Sequence, residues 1–174
     1  VSAAAWAVRL TQLGHPGWAG IGALSILLGY AVFLGAEFVM LRLVQRTNSA
    51  PAPGTVELMR AWWGEVVTVP QIFLWRQPFR SNAEPDNLTV SDGVAPTGVV
   101  LVHGFFCNRG FWNLWMRELR AQRVPFIAVN LEPAFGSIDR YPLVIEEAVV
   151  RMETVTSLPV VLVGHSMGGL AIRA

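Results

Sequence analysis

The chain contains a single cysteine, Cys107, among its 174 residues. That excludes an internal disulfide and any cysteine-based metal cluster, and it leaves the compartment open. Charge is scarce as well. Asp, Glu, Lys and Arg together supply 14% of residues, where an ordinary soluble domain carries about 25%. The net charge is +1 and the basic residues form no run, so electrostatics make no case for nucleic acid. Nothing in the sequence calls for a metal or an organic cofactor, and nothing fixes an oligomeric state. An initiating methionine is missing too. The chain opens at Val1 and stops at Ala174 inside what reads as a helix, so it reads as a fragment of a longer protein.

What the chain has in quantity is apolar surface: 53% of residues are hydrophobic and the mean hydropathy is +0.45. Much of it lies between Trp18 and Leu41, WAGIGALSILLGYAVFLGAEFVML, where Glu37 is the only residue expected to be charged. A helix of about 20 apolar residues crosses a hydrocarbon core of about 30 Å. Trp18 at one end and Arg42 and Arg46 at the other suit interfacial anchoring, and Glu37 is placed to reach headgroups or Arg42. A signal peptide would have a shorter apolar region, of about 7–15 residues. Its nearest Ala-x-Ala, Ala50–Ala52, is followed by an unfavourable Pro53. A buried soluble helix would be shorter and better punctuated. The expectation is a membrane anchor over 1–46 with a span at about 18–41, single- or multi-pass. Residues 1–13 would be the tail of an earlier helix, and His15, Pro16 and Gly17 the turn. Arg42, Arg46 and Arg60 against Arg9 lean the remainder of the chain toward the cytoplasm.

A linker follows at 47–56, TNSAPAPGTV, whose prolines and small polar residues bury too little surface to fold. Residues 57–97 form an aromatic and turn-rich lead-in. Within it Glu57–Arg80 reads either as a strand, from the alternation around VVTVPQIFLW, or as an interfacial stretch. From residue 98 the pattern turns regular. GVVLVHG reads as a buried strand. Asn108 is placed to cap a helix whose Phe111, Leu114, Trp115 and Leu119 fall at helical spacing. VPFIAVNL (124–131) is a second strand, and a helix opens near Pro142. PVVLVGHS (159–166) is a third strand running into a third helix. Strands alternating with helices predict a parallel sheet with helices on both faces over 98–174.

Two strand ends carry chemistry. Gly164-His165-Ser166-Met167-Gly168-Gly169 places a serine between a strand and a helix in a Gly-x-Ser-x-Gly frame, the arrangement of a nucleophile elbow. Gly164 and Gly168 are required because so tight a turn leaves no room for side chains beside the serine. At the end of the first strand stands His103-Gly104-Phe105. A serine nucleophile needs two preorganised N–H donors for its oxyanion, each worth about 10²–10³ in rate. The backbone N–H of Met167 and that of Phe105 are the candidates. His103 and His165 are read as packing beside these turns rather than as bases, and Cys107 as inert. Glu132 and Asp139 follow the second strand on the same side and are either site-lining or solvated. Phe105, Phe106, Phe111 and Trp112 form either an acyl wall or core.

These motifs resemble the α/β-hydrolase superfamily, in its lipase and esterase branch, over residues from about 98 to 174. The resemblance implies a serine hydrolase that cleaves acyl esters through a Ser166 acyl intermediate. The acid and histidine of its triad would follow the serine, beyond the fragment. It implies an acyl-ester or lipid substrate. A peptidase, thioesterase or acyltransferase on the same fold, and a non-catalytic membrane-tethered module, stay open beside it.

Overall fold

A computed structural model describes residues 8–9, 11–14, 16–45, 53–90, 97–134 and 136–174. They fall into two compact units, residues 1–69 and 70–174.

In the first unit, α1 (Pro16–Gln45) is a 30-residue helix. Its segment Gly17–Val44 has a mean hydropathy of 2.0 and its most apolar window is nowhere buried. It is the one helix among the described residues long and apolar enough to cross a membrane. The turn before it differs from expectation. Leu13 and Gly14 make it, with Gly14 at φ 79°, while Pro16 and Gly17 already belong to the helix. Proline suits a first helical position because the N–H it lacks would have no partner there; His15 lies outside the described residues. The expected linker lies outside them as far as Ala52, and its last two residues, Thr55 and Val56, are helical.

Helix α2 (Thr55–Pro70) replaces the strand considered for this stretch. Its start is fixed by Glu57, whose carboxylate accepts from Gly54 N at 2.8 Å, a reach-back that ties down the first turn. The alternation of VVTVP lost because the segment packs along a helix partner. Trp62 Nε1 donates to Ala31 O at 2.9 Å, and Tyr30 Oη to Glu65 O at 3.3 Å. Arg42 donates to Thr55 Oγ1 at 2.6 Å rather than to Glu37.

The second unit begins with a π-helical turn, Gln71–Arg76, and a short helix, α3 (Gln77–Arg80). Then come β1 (Val99–Val102), α4 (Asn113–Ala121), β2 (Phe126–Val129), α5 (Tyr141–Thr156), β3 (Val161–Gly164) and α6 (Met167–Ala171). The three strands are parallel, in the order β2-β1-β3. Side-chain alternation divides the core between two faces. Val100, Val102, Ile127 and Val129 pack with Tyr141, Ile145, Ala148 and Met152 of α5. Leu101, Phe126 and Ala128 pack with Trp112 and Met116 on the α4 side. The parallel sheet covered on both faces is therefore present.

Of the stripe read in the sequence, Phe111 and Leu119 pack against the core, but the rest of it does not. Trp112 and Met116 are buried while Leu114 and Trp115 stand in solvent. The reason is a 3₁₀ turn, Arg109–Trp112, between the Asn108 cap and the α-helix, which rotates the later residues relative to a continuous α-helix. The polar stretch after Arg80 is fastened to the sheet. Asn87 pairs with Phe126 in an antiparallel bridge along the outer edge of β2. Arg109 Nη2 holds Asp86 Oδ1 at 2.7 Å and Glu84 O at 2.9 Å.

Candidate active site

Ser166 sits between β3 and α6 with φ 53° and ψ −121°. A non-glycine residue at positive φ is a strained conformation, and such strain collects at functional sites. The turn closes through Gly168 N to His165 O and Gly169 N to Ser166 O, both at 2.9 Å. Those two N–H groups are thereby used. Met167 is the first residue of α6, where an N–H has no acceptor within the helix.

Space around the turn is the reason for its glycines. A Cβ on Gly168 would lie 2.5 Å from Val102 O and 2.6 Å from His103 O. One on Gly164 would lie 2.7 Å from Gly169 N. These contacts are with backbone, which cannot swing aside. A Cβ on Gly104 would lie 3.1 Å from Ser166 Cβ, so the loop after β1 and the serine turn touch. The register explains this meeting: Val102 stands opposite Gly164 and His165 N donates to Val102 O at 3.0 Å. Both chains leave the sheet together at its carboxyl edge.

The loop after β1 is held rigidly. Cys107 N donates to Gly104 O at 3.2 Å, closing a turn in which Phe106 takes φ 55°. Asn108 is gripped twice by Gln77, through N to Oε1 at 2.8 Å and Nδ2 to O at 3.0 Å. Arg109 N donates to Asn130 Oδ1 at 2.8 Å. Gln77 and Asn130 escaped the sequence reading, since a glutamine and an asparagine in unremarkable contexts give no signal until the fold brings them to this loop.

The two histidines occupy different settings. His103 is buried, with Nδ1 against Gly104 O at 2.9 Å and Nε2 accepting from Leu131 N at 3.0 Å. Both ring nitrogens are thus committed, and the ring pins the end of β1 to the end of β2. Burial is the main influence on its pKa and holds it below the ordinary 6.5, against the opposing pull of Gly104 and Glu132. His165 is exposed and stacks on Phe111, with ring centroids 4.5 Å apart. Neither histidine has a carboxylate hydrogen-bonded to it among the described residues.

A cavity of about 410 Å³ opens beside the loop, lined by Phe73, His103, Phe106, Cys107 and Glu132 among others. Ser166 is not among its lining residues. Burial pushes the Cys107 thiol above its usual pKa, outweighing the opposing hydrogen bonds from Gly104 and Gln77. Of the two loop carboxylates, Glu132 lines this cavity, while Asp139 bonds Ser137 Oγ at 2.8 Å. The four aromatics form two pairs: Phe111, which covers His165, meets the core ring of Trp112 edge to face at 4.9 Å, and Phe105 and Phe106 pair edge to face at 4.3 Å. Among the described residues no cluster of His, Cys, Asp and Glu is placed to hold a metal ion.

Residues 99–174, which contain the serine turn and the loop beside it, match the family model described as Alpha/beta hydrolase family. This part of the chain is similar to the alpha/beta hydrolase family. No curated protein and no solved structure matches the chain. Within the matched segment, the His-Gly loop of β1 and the serine turn of β3 are the two elements that the central strand order brings side by side.

Proposed function

We propose that the chain is the nucleophile-bearing part of a membrane-anchored serine hydrolase that cleaves carboxylic esters, with Ser166 as the nucleophile. The observation that carries the reading is Ser166 at φ 53° on the β3–α6 turn with Gly104 pressed against it. In this reading the Ser166 hydroxyl attacks the ester carbonyl, and the N–H groups of Phe105 and Met167 take the resulting oxyanion. The alcohol leaves, and water then cleaves the acyl-enzyme. His103 and Gly104 hold the donor loop, and Gly164, His165 and Gly168 hold the turn. The histidine and acid of the triad are assigned to residues beyond 174. The committed nitrogens of His103 support that assignment, since they leave it no role as a base.

The anchor is α1, and its unburied apolar length supports a membrane span. Tethering at a bilayer makes a lipidic acyl ester the substrate class of choice. The domain plan is an anchor over 1–46, a linker from 47 to the start of α2, a lead-in to 97 that includes α2, and the hydrolase segment from 98, with the hydrolase side cytoplasmic.

The test is hydrolysis of short- and long-chain p-nitrophenyl esters by the full-length parent and its Ser166→Ala variant. The variant is expected to lose at least about 10⁴-fold in kcat, and chain-length preference separates esterase from lipase. Undiminished turnover by Ser166→Ala would overturn the assignment.

A further inference from the structure

A second cleft, of about 360 Å³, opens on the 70–174 unit and shares no lining residue with the cavity beside the Gly104 loop. Three guanidinium groups border it: Arg76 from the π turn, Arg80 from α3 and Arg117 from α4. No carboxylate is among its described lining residues. Arg117 pairs with Glu84 at 2.6 Å. Arg76 donates to the neutral Gln71 Oε1 at 3.1 Å, and Arg80 has no ion pair among the described residues. Two of the three charges therefore lack a counter-charge. Asn113, only 3% exposed, lines the same cleft. Its Nδ2 donates to Arg80 O at 2.9 Å, while its Oδ1 has no hydrogen-bond partner.

Large apolar side chains stand in solvent at the same place. Trp75 and Leu114 line the cleft and are 59% and 50% exposed. The Trp75 ring pairs with that of Phe79 at 5.6 Å, and Phe79 is 69% exposed. Guanidinium groups match phosphate oxygens in geometry and charge. Tryptophan and phenylalanine beside basic residues settle at the headgroup level of a bilayer. A soluble phosphate would leave the aromatics unexplained, and an apolar partner would leave the arginines so.

We propose that this face docks on an anionic phospholipid surface. A headgroup phosphate sits among Arg76, Arg80 and Arg117, and Trp75, Phe79 and Leu114 enter the headgroup layer. The proposal depends neither on Ser166 nor on α1 spanning a membrane.

The test uses the full-length chain in non-ionic detergent micelles doped with phosphatidylglycerol or phosphatidylcholine. A bimane label on Phe79→Cys, in a Cys107→Ser background, reports docking without reference to ester hydrolysis. The label emission is expected to shift to the blue with phosphatidylglycerol and to stay in place with phosphatidylcholine. Each arginine neutralised among R76Q and R80Q should lower the docked-to-undocked ratio about fivefold, while R80K keeps most of it. Equal shifts with the two lipids would overturn the proposal, and so would a shift that survives R76Q/R80Q. Displacement of the shift by inorganic phosphate, but not by chloride of equal ionic strength, would assign the cleft to a soluble phosphoryl ligand and overturn the bilayer. Unchanged far-UV circular dichroism shows that a variant folds. If the double variant does not, R80Q alone and W75A read the same ratio.

Discussion

The tetrapeptide Val-Val-Leu-Val occurs twice, at 99–102 and at 160–163, and the two copies meet opposite fates. In β1, Val100, Leu101 and Val102 are completely buried, whereas in β3 Val161 is 48% and Leu162 37% exposed. Local sequence cannot explain this, because it is identical. Position does: among the described residues of this chain, β1 lies between β2 and β3, and β3 pairs with β1 alone. The register adds a second difference. Val99 pairs with Val161 rather than Val160, a one-residue offset that turns equivalent side chains to opposite faces. Leu101 therefore packs on the α4 side, and Leu162 shares a face with Val100, on the α5 side. The same offset sets Gly164 opposite Val102, so that the serine turn emerges beside Gly104.

The sharpest way to break this comparison is to truncate the same residue in each copy. Leu101→Ala should cost about 2–5 kcal/mol, the range for emptying a filled core site. Leu162→Ala should cost about 1 kcal/mol or less, as a half-exposed substitution does. Urea midpoints of the two variants, made in the 174-residue chain, decide it, and equal losses would mean that strand position is not what separates the copies. At the strand ends the contrast is between neighbouring glycines. Gly168→Ala forces a Cβ onto Val102 O and His103 O, while a Cβ on Gly169 meets nothing within 4 Å. In the full-length parent Gly168→Ala should reduce ester hydrolysis by about 10²-fold, the scale of a small displacement of reacting groups. Gly169→Ala should leave it within about twofold.

The smallest effect tests the pin between β1 and β2. Burial lowers the pKa of His103 below 6.5 in the folded state, so the folded chain resists a proton that the unfolded chain accepts. The stability this favours is fully present above about pH 6.5. It is lost as pH falls from there through the lowered folded value, by at most about 1.4 kcal/mol per pH unit. His103→Gln should be less stable than the wild type at pH 7.5 and show a flatter dependence between pH 7.5 and 5. An unchanged pH profile in the variant would place that dependence elsewhere.

Much of this architecture was legible in the chain itself. The β-branched runs and amphipathic intervals marked each strand and helix of the 98–174 segment. The Gly-x-Ser-x-Gly frame and the His-Gly pair marked the two turns that prove to be in contact. Periodicity misled where the backbone left the ideal helix: the 3₁₀ turn at Arg109–Trp112 rotated α4 away from Leu114 and Trp115. It misled again at VVTVP, where alternation suggested a strand and the contacts of Trp62 and Tyr30 with α1 favoured a helix. The role of Gln77 was not legible, because a hydrogen bond across 31 residues leaves no local trace.

The amino-acid sequence by itself determined that a serine would stand at a strand-to-helix turn, that glycines would flank it, and that a long apolar helix would precede it. Short-range sterics and hydrophobic run length suffice for those. The tertiary structure decided which of the two Val-Val-Leu-Val copies is buried, which histidine nitrogens are occupied and which loop meets the serine. Those depend on strand order and register, which residues far apart in the chain settle together.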